Sequence, residues 1–321
     1  MKRFRPFRTS PEVRDEHADV RIVPSDFIYP YFVVEGEAQR QEIPSMKGVY
    51  RLSTDMLADD VGRLLSLGIN KILLFGVVDN AVKDERGSAG LSGHSLVCRA
   101  VRAVKKRFPQ AVVFTDVCLC EYTSHGHCGL LHGHDVDNDA TLPLLARMAA
   151  AHAAAGADFV APSAMMDGQV EAIRRCLDDN RLHAHILAYS AKYASSFYGP
   201  FRHAAKSAPA FGDRKTYQMD FRTSEQGLDE IAADLDEGAD LVMVKPAMPY
   251  LDIIRRAADA FPSNPPVAYQ VSGEYAMLKN AAAQGYFDEH SVFFEALTAI
   301  KRAGARYIIS YYARDFVAHF R

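Results

Sequence analysis

Two lysines sit where apolar runs end: Lys192 in HILAYSAKY (185–193) and Lys245 in LVMVKP (241–246). Desolvation and a neighbouring cation both lower an amine's pKa and free it to attack a carbonyl. One such lysine points to Schiff-base chemistry. Two, at the ends of consecutive strands, point to a catalyst that handles two carbonyls. Either lysine alone is equally well a side chain that packs its stem and keeps its ammonium wet.

A second group of reactive types lies in DVCLCEYTSHGHCG (116–129). Cys118 and Cys120 alternate as they would on a strand, which turns both thiols to one side. Cys128 returns after a loop rich in Gly, Ser and His. Three thiolates hold a zinc ion and leave its fourth position open, the arrangement of a catalytic centre. His125 or His127 filling that position would make the centre closed and structural, and ordinary buried thiols beside a histidine-rich loop are the plain alternative.

Arg202 and Arg214 fall in a long segment, 193–223, and make sense together as a clamp on a carboxylate. Ser272 and Tyr311, also at strand ends, offer hydroxyls for a second carboxylate. The acidic stretch from Glu225 to Glu237 is a solvated helix face, from which one carboxylate could hold a magnesium ion with its waters.

These positions need a scaffold. Short β-branched and aromatic runs at 28–34, 71–77, 112–119, 158–163, 185–190, 241–246, 267–273 and 307–312 alternate with helical patterns. Helices are expected over 54–68, 139–156, 167–179 and 224–238, opened by Thr, Ser or Asp and closed by Gly. Eight such units predict an α/β fold, a closed barrel of parallel strands. No glycine fingerprint for a dinucleotide follows the first strand. In a barrel the strand C-termini form the active rim. Cys118, Cys120, Lys192, Lys245, Ser272 and Tyr311 all fall there. Residues 1 to about 24 form a polar arm before the first strand, suited to lie on a partner subunit. Segment 193–223 is too long for a routine connection and reads as a lid over the barrel domain, 25–321.

The chain has 321 residues, 49% apolar and 10% aromatic, enough for one large barrel with a substantial core. A formal charge of −3 offers no field for nucleic acid or an anionic membrane. No apolar run is long enough to span a bilayer. The N-terminal Lys2, Arg3, Arg5 and Arg8 precede no apolar h-region. Five cysteines, an odd number, fit reduced thiols in a cytoplasmic protein.

With these residues in hand, the chain resembles the porphobilinogen synthase (5-aminolaevulinate dehydratase) family. The resemblance rests on PSDFIYPYFVVEG (24–36), IPSMKGVYRLS (43–53), the cysteine motif, APSAMMDG (161–168) and YSAKYASSFYGPFR (189–202). It continues through FGDRKTYQM (211–219), MVKPAMPYLDI (243–253), YQVSGEYAM (269–277) and IISYYA (308–313), nearly the whole chain in order. It implies a (β/α)8 TIM barrel in which two 5-aminolaevulinate molecules condense to porphobilinogen with loss of two waters, a step of haem biosynthesis.

By position, the resemblance gives Lys245 the first Schiff base and Lys192 the second. Ser272 and Tyr311 take the first carboxylate, and Arg202 and Arg214 the second. Cys118, Cys120 and Cys128 become ligands of a catalytic zinc, with Asp116 beside them. Glu230 matches an allosteric magnesium site at a subunit boundary, and the expected assembly is a homo-octamer. Thr216 stands where some members carry a cysteine for an additional zinc. A class I Schiff-base aldolase on the same barrel, or a non-catalytic metal-binding relative, are the competing expectations.

Overall fold

The computed structural model describes residues 1–320. Twelve strands occur among them. They are β1 (Phe27–Val34), β2 (Arg40–Glu42), β3 (Tyr50–Ser53), β4 (Lys71–Val77), β5 (Val112–Val117), β6 (Leu130–His132), β7 (Asp135–Asp137), β8 (Phe159–Pro162), β9 (His185–Lys192), β10 (Leu241–Lys245), β11 (Val267–Gln270) and β12 (Ile308–Ser310). Eight of these, β1, β4, β5, β8, β9, β10, β11 and β12, pair in parallel in that order, and β12 pairs back onto β1 to close the barrel. The fold is the α/β TIM barrel expected. Its strands are near-continuous apolar runs such as KILLFGV, because interior side chains cover one face and helices the other.

The helices are α1 (Pro11–Glu16), α2 (Thr54–Ser66), α3 (Leu96–Arg107), α4 (Asn138–Ala154), α5 (Gln169–Asp179), α6 (Gly199–Ala204), α7 (Glu225–Asp236), α8 (Leu251–Ala260), α9 (Ser272–Ala283), α10 (Glu289–Arg302) and α11 (Ala313–Phe320). The four helices expected from the sequence match α2, α4, α5 and α7 to within a few residues. The strong amphipathic pattern of α8, with Ile253, Ile254 and Ala257 buried, packs it on the barrel.

Two features of the barrel shape the site. At its start β1 pairs with β12 (Phe27 with Ile308), but at its end it pairs instead with β3 (Phe32 with Arg51). The excursion β2–β3 therefore wedges into the seam at the catalytic end. Between β9 and β10 the register slips: Val242 faces Ala188, yet Val244 faces Ala191 and Lys245 faces Lys192. One extra residue of β9 is absorbed there, as in a β-bulge.

Several strands end sooner than the sequence suggests. β5 stops at Val117, so Cys118 and Cys120 are not strand residues; they lie in the turns that follow. β11 stops at Gln270, and Ser272 is the first residue of α9. Segment 193–223 is partly built: a 3-10 turn at Ser196–Tyr198 leads into α6. Residues 5–16 fold on themselves, with Ser10 capping α1 and Phe7 against His17 at 4.9 Å between ring centres. Phe4 and Phe7 remain 60% and 48% exposed.

Candidate active site

The lysines come first. Lys192 and Lys245 end neighbouring strands, face one another in register and are both buried. Their ammonium groups lie 5.6 and 4.9 Å from the centre of the same ring, Tyr189. Lys245 is boxed further by Tyr269 at 4.2 Å, Phe201 at 5.3 Å and Tyr198 at 5.4 Å. Burial, then the positive charge of Lys192, hold the Lys245 amine down at about 7. A population of neutral amine at neutral pH follows, which is what attack on a carbonyl requires. Lys192 Nζ donates to the carbonyl oxygen of Ser163, which orients it across the barrel mouth.

Asp116, on β5, shares this space. Burial pushes its carboxyl up to about 6, against the two lysines and the Ser163 hydroxyl, which donates to Oδ2 at 3.1 Å. Oδ1 is buried without a partner. A carboxyl so placed can hold or release a proton beside both amines.

The three thiols converge although none is on a strand. Cys118, Cys120 and Cys128 are buried and unbridged, with all three Sγ atoms within 4.8 Å of one another. Cys118 Sγ is 3.3 Å from Cys120 Sγ. Zinc–thiolate bonds of about 2.3 Å in a tetrahedron place sulfurs about 3.8 Å apart, so the set fits that ion. Hydrogen bonds from Cys118 and Cys120 hold the Cys128 thiol well below its ordinary value, and Arg214 and Lys192 add to this. Neither histidine joins them. His127 Nδ1 meets Tyr217 Oη and its Nε2 the carbonyl of Phe211, while His125 meets the carbonyl of Glu85. Among the described residues, the metal-ligating side chains that converge here are the three thiols.

The carboxylate-binding candidates are present on the rim, and Ser272, Tyr311 and Arg214 each have an internal partner. Ser272 Oγ accepts from Phe201 N at 2.9 Å and so holds α6 down; Tyr311 Oη pairs with Tyr269 Oη at 2.9 Å. A Cβ on Gly273 would come within 2.4 Å of Phe197 O, so the lid backbone lies directly on the start of α9. Arg202, on α6, is half-buried with Nε unpartnered. Arg214 is buried, and Nη2 donates to Gly126 O at 2.9 Å and Ser207 O at 2.6 Å. Burial opposes its charge, but the thiols beside it, Cys128 foremost, more than offset this.

Glu230 is elsewhere. It lies on α7, away from the lysines, lining a cavity of about 730 Å³ with Asp167, Gln226 and lid residues 215–220. Burial and Asp167 raise its carboxyl above the ordinary value.

Two features of the site, Ser163 and a box of rings, carry no signal of their own in the sequence. Ser163, which touches both Asp116 and Lys192, and the ring box of Tyr189, Tyr198, Phe201 and Tyr269 were not singled out. An aromatic in an apolar run carries no signal of its own; only its spacing from a lysine (Tyr189, three before Lys192) hinted at it. Glu121 is buried, one carboxylate oxygen without a partner, and burial and Asp116 raise its carboxyl well above the ordinary value.

The family model described as delta-aminolevulinic acid dehydratase matches residues 1–319. Proteins called delta-aminolevulinic acid dehydratase from Bacillus subtilis and Methanothermobacter thermautotrophicus are 48% and 49% identical, over 98% of this chain and 97% and 96% of theirs. The crystal structure of delta-aminolevulinic acid dehydratase (porphobilinogen synthase) from Toxoplasma gondii, in complex with the reaction product porphobilinogen, superposes with a TM-score of 0.96. It is 43% identical and is matched over 99% of this chain and 91% of that one.

Proposed function

The chain belongs to the delta-aminolevulinic acid dehydratase family and catalyses porphobilinogen synthesis from 5-aminolaevulinate, and from this premise we propose how its residues divide the work. The observation that carries the assignment is the register pair Lys192 and Lys245, buried over one tyrosine ring and beside one acid. Lys245, the amine held near neutrality, attacks the first substrate's carbonyl; Lys192 takes the second. Asp116, steadied by Ser163, takes up and returns the protons these condensations displace.

Ser272 and Tyr311 bind the first carboxylate, exchanging Phe201 N and Tyr269 Oη for substrate oxygens. Arg202 and Arg214 bind the second. Segment 193–223 acts as the lid, and its fastening to Gly126 and Ser272 lets substrate binding and lid closure proceed together. Holding both substrates at near-attack geometry turns a bimolecular condensation into a local one.

Cys118, Cys120 and Cys128 hold zinc, which when bound supplies Lewis-acid polarisation and orients the second substrate's amino or carbonyl group. The reading is supported by donor chemistry: three converging buried thiols flanked by Arg214 and Lys192. Glu230, in its acidic cavity, holds an allosteric magnesium. The arm, residues 1–24, lies on a partner copy in an octamer, in keeping with its exposed Phe4 and Phe7. A cytoplasmic location suits five cysteines without a disulfide. No helix among the described residues is long and apolar enough to cross a membrane.

Pyrrole formation from 5-aminolaevulinate by chelator-treated protein, re-supplied separately with zinc and magnesium, tests the metal assignments. Zinc restores activity under this reading, and magnesium only modulates it. Restoration by magnesium alone would remove the catalytic role from the thiols.

A further inference from the structure

Against the lid lies a cavity of about 760 Å³ in which Arg202 alone has been given a part in the reaction. Its walls come from the β2–β3 excursion, the loop after β4, the loop bearing Cys128, and α6 with the residues that follow it. Four cations line it: Arg51, Lys83, Arg202 and Lys206. The one carboxylate in the lining, Glu42, accepts from Gly48 N at 2.9 Å.

None of the four cations forms an ion pair among the described residues. Elsewhere on the barrel, arginines such as Arg99 and Arg174 do find carboxylates. Burial without a salt-bridge partner lowers Arg51, Lys83 and Arg202 from their ordinary values. Instead of carboxylates, Arg51 and Lys83 use backbone oxygens of the lid. Arg51 Nε and Nη2 donate to Ala204 O at 2.7 Å and His203 O at 2.9 Å, and Lys83 Nζ donates to Lys206 O at 2.5 Å. Lys206 itself is exposed, with a left-handed backbone (φ 51°) that turns the chain at the cavity mouth.

A concave surface carrying several cations and almost no acid concentrates anions. Arg202 belongs both to this wall and to a second cavity, which it shares with Arg214. We propose that this cavity is a vestibule that captures the carboxylate of incoming substrate and delivers it to Arg202 before the lid closes. The proposal rests on the reading above, in which Arg202 receives the second substrate's carboxylate. Lys206, exposed at the mouth and outside the reaction site, is the steering charge. Arg51, which holds two α6 carbonyls, and Lys83, which holds the Lys206 carbonyl just after α6, link arrival of the anion to the seating of the lid.

The test is steady-state kinetics of the holoenzyme on 5-aminolaevulinate across ionic strength, with Lys206→Gln and Lys206→Glu. A unit charge about 10 Å from the path in water changes arrival about twofold, and reversal about fourfold. At low salt, kcat/KM therefore falls about twofold in Lys206→Gln and about fourfold in Lys206→Glu. The variants converge on the parent at about 0.5 M salt, where the Debye length shrinks to a few ångströms, and kcat stays within twofold throughout. Equal kcat/KM for all three proteins at low salt overturns the vestibule. So does a deficit that persists at high salt, because it would mark a packing effect. Borohydride trapping of 5-aminolaevulinate at saturation is run on each protein alongside. Absence of the adduct in the parent condemns the functional reading itself, whereas normal trapping with no salt-dependent difference condemns only the vestibule.

Discussion

Lys192 and Lys245 face each other across β9 and β10 because β9 accommodates one residue more than β10 between Ala188 and Ala191. Side chains alternate faces along a strand. Continuing the register of Val242 with Ala188 would set Lys245 opposite Ala191 and turn Lys192 to the other face. The slip puts both amines on one face, where the charge of Lys192 raises the cost of protonating Lys245.

The first prediction follows from that repulsion. The amine reacts when neutral, and Lys245 is held at about 7. The rate of borohydride-trapped imine at Lys245 should rise with pH up to about 7 and level off above. Lys192→Met removes the neighbouring cation, so Lys245 keeps its proton to higher pH. The midpoint should move up by about 1 pH unit. A midpoint unmoved by the substitution would show that burial alone sets the amine.

Gly126 joins the thiol loop to the lid. Its φ is +70°, and a Cβ there would lie 2.3 Å from Ala208 O. Gly126→Ala should push the lid, Arg214 included, off the thiol loop, raising KM roughly tenfold with a smaller loss of kcat, since binding geometry is disturbed more than the amines. Kinetics together with limited proteolysis around residues 205–215 checks this. Unchanged KM would mean that the lid does not need its seat on the thiol loop.

His152 on α4 is wholly buried with neither ring nitrogen bonded, and burial holds its pKa down at about 4 against 6.5 for a free histidine. The unfolded chain thus binds the proton more readily than the folded one. Stability from keeping the ring neutral is complete above pH 6.5, declines as pH falls toward 4, and levels off below. The full effect is about 3 kcal/mol. His152→Met should flatten denaturant-derived stability across that window. Parallel curves for parent and variant would contradict it.

The thiols invite a fourth test. With Cys118 and Cys120 sulfurs 3.3 Å apart, metal-free protein should lose free thiols to mild oxidant within the 118–128 cluster first, and bound zinc should protect it. Cys128→Ala should weaken zinc binding by 100-fold or more, read by competition with a chromophoric chelator, with the fold intact by circular dichroism. Zinc affinity equal to the parent's would place the ion elsewhere.

Much of this site was legible in the sequence, for physical reasons that differ by residue. A lysine ending an apolar strand announces itself because burying an ammonium is costly. Three cysteines within eleven residues are as visible. The barrel was legible from eight β/α alternations. The bulge in β9 was not, since register is a relation between strands, and neither was the ring box, since tyrosines in apolar runs look like core. Cys118 and Cys120 read as strand neighbours because their alternation mimics a strand; the chain in fact turns after Val117 and brings the sulfurs together by a different route. That Arg214 is buried against the Gly126 and Ser207 carbonyls was not legible, because sequence does not disclose which carbonyls a guanidinium will find. His125 and His127 read as possible ligands until Phe211, Tyr217 and Glu85 claimed their ring nitrogens.

The central claim is that two amines on adjacent strands activate two substrate carbonyls. It is tested most directly by borohydride reduction of the holoenzyme with isotopically labelled 5-aminolaevulinate, followed by peptide mapping. The account predicts label on Lys245 at limiting substrate, with label on Lys192 appearing as the second substrate site fills and absent from Lys192→Met. Label confined to any other lysine, or none on Lys245, would contradict it.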